Sequence, residues 1–123
     1  MKDILIVDDS PLRRMVRAAL SVLPEVRFAE ASSGLEAIEQ LSRASARLMI
    51  LDLNMPDLHG LEVLHFVRRH QAYRNLPIIV LTTRGDEESR TAAQAAGTTL
   101  YITKPFAPHT PAASARVLLT DSC

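Results

Sequence analysis

Short runs rich in apolar, mostly branched residues recur five times along the chain. They occupy residues 4–7, 26–31, 48–51, 78–81 and 99–102. Each run has the length and the residue types of a β-strand. The run at 48–51, LMIL, contains no polar residue, which is typical of a strand buried on both faces of a parallel sheet. The pattern therefore predicts a sheet of five short strands.

Longer segments lie between these runs, and in them apolar residues recur every three or four positions, as in amphipathic helices. In the first, Ser10 fits an N-cap and Pro11 fits the first helical position. Three further helices are predicted to begin near residues 34, 60 and 86. Gly97 is a suitable stop for the last of these. A final helix over 111–120 is expected to be short or weakly docked, because its apolar stripe is sparse.

The regular alternation of strands and helices predicts an α/β fold, because each parallel strand needs a crossover helix to return the chain. The expected architecture is a doubly wound, five-stranded parallel sheet with helices on both faces. A length of 123 residues suits one compact domain, so we expect a single domain over 1–123.

Composition and charge narrow the classes of function. Acidic and basic residues balance to a formal net charge of zero, so the chain lacks the basic excess of a nucleic-acid-binding module. The first apolar run has four residues before two acids, too few for a signal peptide core or a membrane span. The single cysteine, Cys123, permits no internal disulfide and no cysteine metal cluster. We expect an unprocessed cytoplasmic protein that binds neither nucleic acid nor membrane.

Unusual polar residues follow the predicted strands at their carboxyl ends. Asp8 and Asp9 follow the first strand, Asp52 ends the third, Thr82 and Thr83 follow the fourth, and Lys104 follows the fifth. In an open α/β sheet these ends border one crevice, which is where such folds bind ligands. Each residue alone is more simply explained as a turn or capping residue. Their coincidence at one edge favours a single site.

The chemistry of this set points to phosphoryl transfer. Clustered carboxylates repel one another unless a cation lies between them, and oxygen ligands suit Mg²⁺. A hydroxyl at Thr82 and an ammonium at Lys104 add donors for an anion. Metal, ammonium and carboxylate together can neutralise and position a phosphoryl group, and a carboxylate such as Asp52 can be the nucleophile.

Four motifs, ILIVDDS, LDLNMPDLHG, IIVLTT and YITKPF, resemble in this order and spacing the receiver domain of two-component response regulators. The resemblance covers about residues 3–107. It implies the flavodoxin-like strand order 2-1-3-4-5. It also implies a regulatory phosphoacceptor domain and not an enzyme in the ordinary sense.

The resemblance also implies roles for single residues. Asp52 matches the phosphoacceptor, which takes its phosphoryl group from a phosphohistidine of a sensor histidine kinase or a histidine phosphotransfer protein. Asp9 and Asp52 match direct Mg²⁺ ligands, Asp8 a ligand through water, and the backbone carbonyl of Asn54 a further ligand.

Three other positions match groups that respond to phosphorylation. Thr82 matches a hydroxyl that turns toward the phosphoryl group, Lys104 an ammonium that pairs with it, and Tyr101 an aromatic switch that moves inward as the threonine moves. Three arginines of the first helix, Arg13, Arg14 and Arg17, lie largely off its apolar stripe. They are expected to form a solvated face, or alternatively to dock the phosphohistidine-bearing partner.

Several functions remain open at this point. The leading one is a phosphoacceptor switch without an effector domain, monomeric or dimerising on phosphorylation, whose output is altered partner binding. A phosphorelay shuttle or phosphate sink uses the same chemistry. An Asp-nucleophile phosphatase of the haloacid dehalogenase type is disfavoured because Asn54 stands where its second acid is needed. A flavin-binding domain is disfavoured because the first loop carries carboxylates where phosphate needs amides.

Overall fold

The computed structural model describes residues 2–8, 13–43, 46–53, 60–83, 85–104 and 110–121. Five strands lie within this part of the chain: β1 (Lys2–Val7), β2 (Val26–Ala31), β3 (Leu48–Leu51), β4 (Ile78–Thr82) and β5 (Leu100–Thr103). All neighbouring pairs are parallel, in the order β2-β1-β3-β4-β5. The predicted doubly wound sheet and its strand order are confirmed.

Five helices alternate with the strands: α1 (Arg13–Leu20), α2 (Gly34–Arg43), α3 (Gly60–Arg69), α4 (Glu87–Ala95) and α5 (Thr110–Asp121). The side-chain alternation of the strands divides the core between the two faces of the sheet. On one face, Ile4, Ile6 and Ile50 pack with residues of α1 and α5. On the other face, Leu5 and Val7 pack with residues of α2, α3 and α4. No helix among the described residues is long and apolar enough to span a membrane.

The C-terminal helix differs from the expectation of a short or weakly docked element. Helix α5 has 12 residues, more than any other helix in the described ranges. Ala112, Ala115 and Leu119 are buried against the core on the α1 side of the sheet. Small side chains let the helix approach the sheet closely, so a sparse apolar stripe is enough to dock it.

Arg68, near the end of α3, ties together three segments at the amino edge of the sheet. Its Nε donates to the carbonyl of Gly97 at 2.9 Å, and its Nη1 donates to the carbonyls of Arg74 at 3.1 Å and Leu76 at 2.6 Å. Burial lowers the pKa of the Arg68 guanidinium from its ordinary value. The group remains charged at neutral pH, so these are charge-assisted hydrogen bonds.

We expect Arg68→Ala to lower the free energy of unfolding by about 2 kcal/mol, because it leaves the carbonyls of Gly97 and Leu76 without this donor. Urea denaturation followed by circular dichroism measures the change. Arg69→Ala is the matched control, since Arg69 is exposed and donates to the His65 carbonyl of its own helix. Equal effects of the two variants would contradict a special role for Arg68.

Candidate functional site

The structure brings four of the predicted site residues to one edge of the sheet. Asp8 follows β1, Asp52 follows β3, Thr82 is the last residue of β4 and Lys104 follows β5. These strands are consecutive neighbours in the sheet, so their carboxyl ends lie side by side. The predicted convergence is therefore observed for these four residues.

The ammonium of Lys104 lies between two carboxylates. Its Nζ is 2.8 Å from Oδ2 of Asp8 and 3.3 Å from Oδ2 of Asp52. The exposed fractions of Asp8, Asp52 and Lys104 are 4%, 6% and 8%. Charges removed from water in this way are tolerated only when they are paired and hydrogen-bonded. Two carboxylates share one ammonium, which leaves this group of three with a net negative charge.

Backbone hydrogen bonds hold the site residues in place. The amide of Asp52 donates to the carbonyl of Val7 at 2.9 Å, so the residue after β3 continues the ladder with β1. The amide of Lys104 donates to the carbonyl of Thr82 at 2.7 Å in the same way. The polar side chains therefore extend from a rigid sheet edge and their separation is set by the spacing of the strands.

Gly60, the first residue of α3, packs directly against the backbone of the site. A Cβ at this position would lie 2.6 Å from the Asp52 carbonyl oxygen and 2.6 Å from the Cα of Leu53. The Gly60 amide donates to the Leu53 carbonyl at 3.1 Å. Only a residue without a side chain allows α3 to begin so close to Asp52. The sequence offers one signal for this role, a glycine, which is a poor helix former, as the first residue of the helix.

Thr82 and Tyr101 lie on the two adjacent strands β4 and β5. Thr82 is fully buried. Tyr101 is half-buried and packs against the core on the α4 side of the sheet. The guanidinium carbon of Arg90 on α4 lies 4.7 Å from the centre of the Tyr101 ring, a cation–π contact that the sequence did not predict.

Arg14 and Arg17 are exposed, as expected of a solvated face, whereas Arg13 is half-buried. Arg13 and Arg17 pair with Glu30 on β2, through Oε1 at 2.8 Å for Arg13 and through Oε2 for Arg17. Arg17 also lies over the ring of Phe28. Arg13 donates in addition to the backbone carbonyl of Asp8 at 2.9 Å. The expectation of a solvated face is thus corrected for Arg13, because an acidic residue on the edge strand β2 stands opposite the helix.

We expect the ion pairs of Glu30 with Arg13 and Arg17 to make a contribution to stability that is lost in acid. Burial raises the pKa of Glu30, but the hydrogen bonds from Arg17 and Arg13 outweigh it and leave the pKa below the ordinary value of 4.5. A depressed carboxyl pKa stabilises the folded state above that ordinary value, and the contribution is lost as pH falls through the lowered pKa. We expect the stability difference between the native protein and Glu30→Gln to shrink below pH 4.5. Urea denaturation at several pH values measures it, and a pH-independent difference would contradict the prediction.

Asp9 and Asn54, two of the predicted magnesium ligands, lie outside the described residues. Within the described part of the chain no group of three potential metal ligands comes together, and Asp8 and Asp52 both contact Lys104. The donor set nevertheless fits Mg²⁺, because Asp8 and Asp52 supply carboxylate oxygens. Together with Lys104 the two carboxylates also carry a net negative charge.

Comparison with known proteins identifies the family. A family model described as the response regulator receiver domain matches residues 4–115. The chain belongs to this family. Chemotaxis protein CheY1 of Helicobacter pylori is 38% identical over 109 residues, which cover 88% of each chain.

Solved structures of receiver domains agree with this assignment. The chemotaxis protein CheY4 of Vibrio cholerae has a TM-score of 0.86 at 33% identity, covering 96% of this chain and 98% of its own. The Mn²⁺-bound form of response regulator Rcp1 has a TM-score of 0.81 at 26% identity, covering 99% of this chain and 89% of its own. The chain is thus a receiver domain of the CheY-like type with the flavodoxin-like fold.

Proposed function

We propose that this receiver domain is a phosphoacceptor switch of a two-component system and that Asp52 accepts the phosphoryl group. The observation that carries the proposal is the buried triad at the carboxyl edge of the sheet, in which Lys104 contacts both Asp8 and Asp52. Membership of the receiver family and the similarity to chemotaxis regulators support it.

Asp52 acts as the nucleophile. A carboxylate oxygen of Asp52 forms a bond to phosphorus while the bond from phosphorus to the imidazole nitrogen of the donor phosphohistidine breaks. The bonding electron pair leaves with that nitrogen, and an acyl phosphate remains on Asp52. The donor is a sensor histidine kinase or a histidine phosphotransfer protein. The hydrogen bond from the Asp52 amide to the Val7 carbonyl keeps the nucleophile at a constant position during the approach.

Asp8, Asp9, Asp52 and the backbone carbonyl of Asn54 would hold Mg²⁺. When bound, the ion supplies positive charge to the phosphoryl oxygens. Asp8 and Asp52 both lie within hydrogen-bonding distance of the Lys104 ammonium. Binding of a cation by these two carboxylates therefore needs no large rearrangement of them.

Lys104 and Thr82 respond to the transferred group. The Lys104 ammonium, 3.3 Å from Asp52, is close enough to pair with an oxygen of a phosphoryl group on that residue. Thr82, whose carbonyl accepts the Lys104 amide at 2.7 Å, offers its hydroxyl to the same group. Tyr101 on the neighbouring strand moves inward with Thr82, which changes the surface presented by α4 and β5 to a partner protein in the cytoplasm.

Intact mass spectrometry tests the proposal. The native protein, Asp52→Asn and Asp3→Asn are incubated with acetyl phosphate, each with and without Mg²⁺. Asp3→Asn is the matched control, because this carboxylate belongs to the same sheet but lies near the start of β1 and pairs with Arg27. We expect one phosphoryl group on the native protein and on Asp3→Asn, only with Mg²⁺, and none on Asp52→Asn.

Two results would overturn the proposal. Phosphorylation of Asp52→Asn to the native extent would assign the acceptor to another residue. No phosphorylation of any form, by acetyl phosphate or by a phosphorylated histidine kinase, would mean that the domain does not accept a phosphoryl group.

A further inference from the structure

We infer that Arg13 is a positioning residue for the cation site: its guanidinium, anchored by Glu30, holds the Asp8 backbone so that the Asp8 carboxylate lies where a divalent cation needs it. The inference rests on the proposed function, because it concerns the same cation site. It assigns to α1 and the edge strand β2 a part in that site.

The contacts of Arg13 connect three elements. Arg13 is the first residue of α1, Asp8 follows β1, and Glu30 lies near the end of β2. The Nη1 of Arg13 donates to the Asp8 carbonyl oxygen at 2.9 Å, while its Nε donates to Oε1 of Glu30 at 2.8 Å. The planar, forked guanidinium allows both hydrogen bonds at once.

Asp8 is consequently held at three points. Its amide donates to the Ala31 carbonyl at 3.0 Å, and its side-chain Oδ2 accepts from Lys104 at 2.8 Å. The hydrogen bond from Arg13 to the Asp8 carbonyl is the third. A residue held at amide, side chain and carbonyl cannot rotate without breaking at least one of these bonds.

The carbonyl contact fixes the backbone of Asp8 and not only its side chain. A peptide unit is planar, so a fixed carbonyl limits the rotation of Asp8 about its backbone bonds. The Asp8 carboxylate is thereby kept at one position beside Lys104. Groups that orient metal ligands in this way commonly affect metal affinity about tenfold or more.

A purely stabilising ion pair explains these contacts less well. The side chains of Arg13 and Glu30 are 29% and 25% exposed, and ion pairs with such access to water contribute little to stability. Arg17 pairs with the same glutamate, at 51% exposure, and no contact with Asp8 is found for it. Arg17 thus provides a natural control with the same charge and the same partner.

The test measures cation binding directly, without a phosphodonor. Mn²⁺ is titrated into native protein, Arg13→Ala, Arg13→Lys and Arg17→Ala, and free Mn²⁺ is followed by electron paramagnetic resonance, with Mg²⁺ as competitor. Removing a positive charge near a cation site should by itself tighten cation binding. We expect the opposite for Arg13→Ala, a loss of affinity of about tenfold, and affinity equal to or tighter than native for Arg17→Ala.

Arg13→Lys separates charge from geometry. It keeps the positive charge but lacks the fork that reaches the Asp8 carbonyl and Glu30 together, so we expect weaker binding here too. Circular dichroism and urea denaturation check that each variant is folded.

The outcomes are distinct from those of the proposed function. Failure of the native protein to bind Mn²⁺ or Mg²⁺ would remove the cation site and with it both proposals. Normal cation binding by the native protein with unchanged or tighter binding by Arg13→Ala would overturn the positioning role alone. Equal losses for Arg13→Ala and Arg17→Ala would assign the effect to the pairing with Glu30 that both arginines share. Native affinity for Arg13→Lys would show that the forked guanidinium is not needed, and either result would also overturn the positioning role.

Discussion

Replacing Lys104 with Met is expected to lower the free energy of unfolding at neutral pH by about 3 to 5 kcal/mol, the usual cost of removing one partner from a buried ion pair. Methionine is similar in length and fills much of the same space, so packing changes little. The variant loses the ammonium that contacts the carboxylates of both Asp8 and Asp52, which are more than nine-tenths buried. Urea denaturation in the absence of divalent cations measures the effect.

Asp52→Asn is the matched control for this prediction. It leaves the 2.8 Å pair of Lys104 with Asp8 intact and removes the excess negative charge, so we expect stability equal to or above that of the native protein. Mg²⁺ should restore more stability to Lys104→Met than to Asp52→Asn. A Lys104→Met variant as stable as the native protein would contradict the role of Lys104 in charge compensation.

Replacing Gly60 with Ala is expected to disturb both the fold and the chemistry of the site. The added Cβ would lie 2.6 Å from two backbone atoms, the Asp52 oxygen and the Leu53 Cα, which cannot move independently of the strand. Either α3 or Asp52 must shift. We expect a loss of about 3 kcal/mol in the free energy of unfolding. We also expect phosphorylation by acetyl phosphate to slow by about a hundredfold, because small misplacements of a reacting group are costly.

Gly85→Ala is the control for a simple loss of glycine. Among the residues that the structure describes, a Cβ there meets the side-chain Cγ2 of Thr103, at 3.0 Å, and no backbone atom, and the residue is exposed. We expect a change of about 1 kcal/mol or less and little change in phosphorylation rate. Similar losses in the two variants would show that the close approach of Gly60 to Asp52 has no particular importance.

Sequence reasoning could find the site residues that follow strands, but not those that act through backbone contacts. Asp8, Asp52, Thr82 and Lys104 follow strands whose apolar runs are easily recognised, and parallel strands bring their carboxyl ends together without further information. Arg13 and Gly60 act through atoms of the backbone. Sequence patterns do not reveal which carbonyl a guanidinium reaches, or how near a helix starts to a neighbouring strand, since both depend on packing in three dimensions.

Amino-acid order alone determined the α/β class, the approximate bounds of the strands and the edge of the sheet at which polar groups gather, because these follow from local periodicity and from the chain connectivity of parallel sheets. Only the tertiary structure showed that Lys104 contacts both Asp8 and Asp52 and that Arg13 donates to Glu30. It also showed that α5 extends from Thr110 to Asp121. These features join residues distant in sequence, or depend on a close fit between surfaces. Such contacts depend on the packing of the complete fold, and no single segment of the chain specifies them.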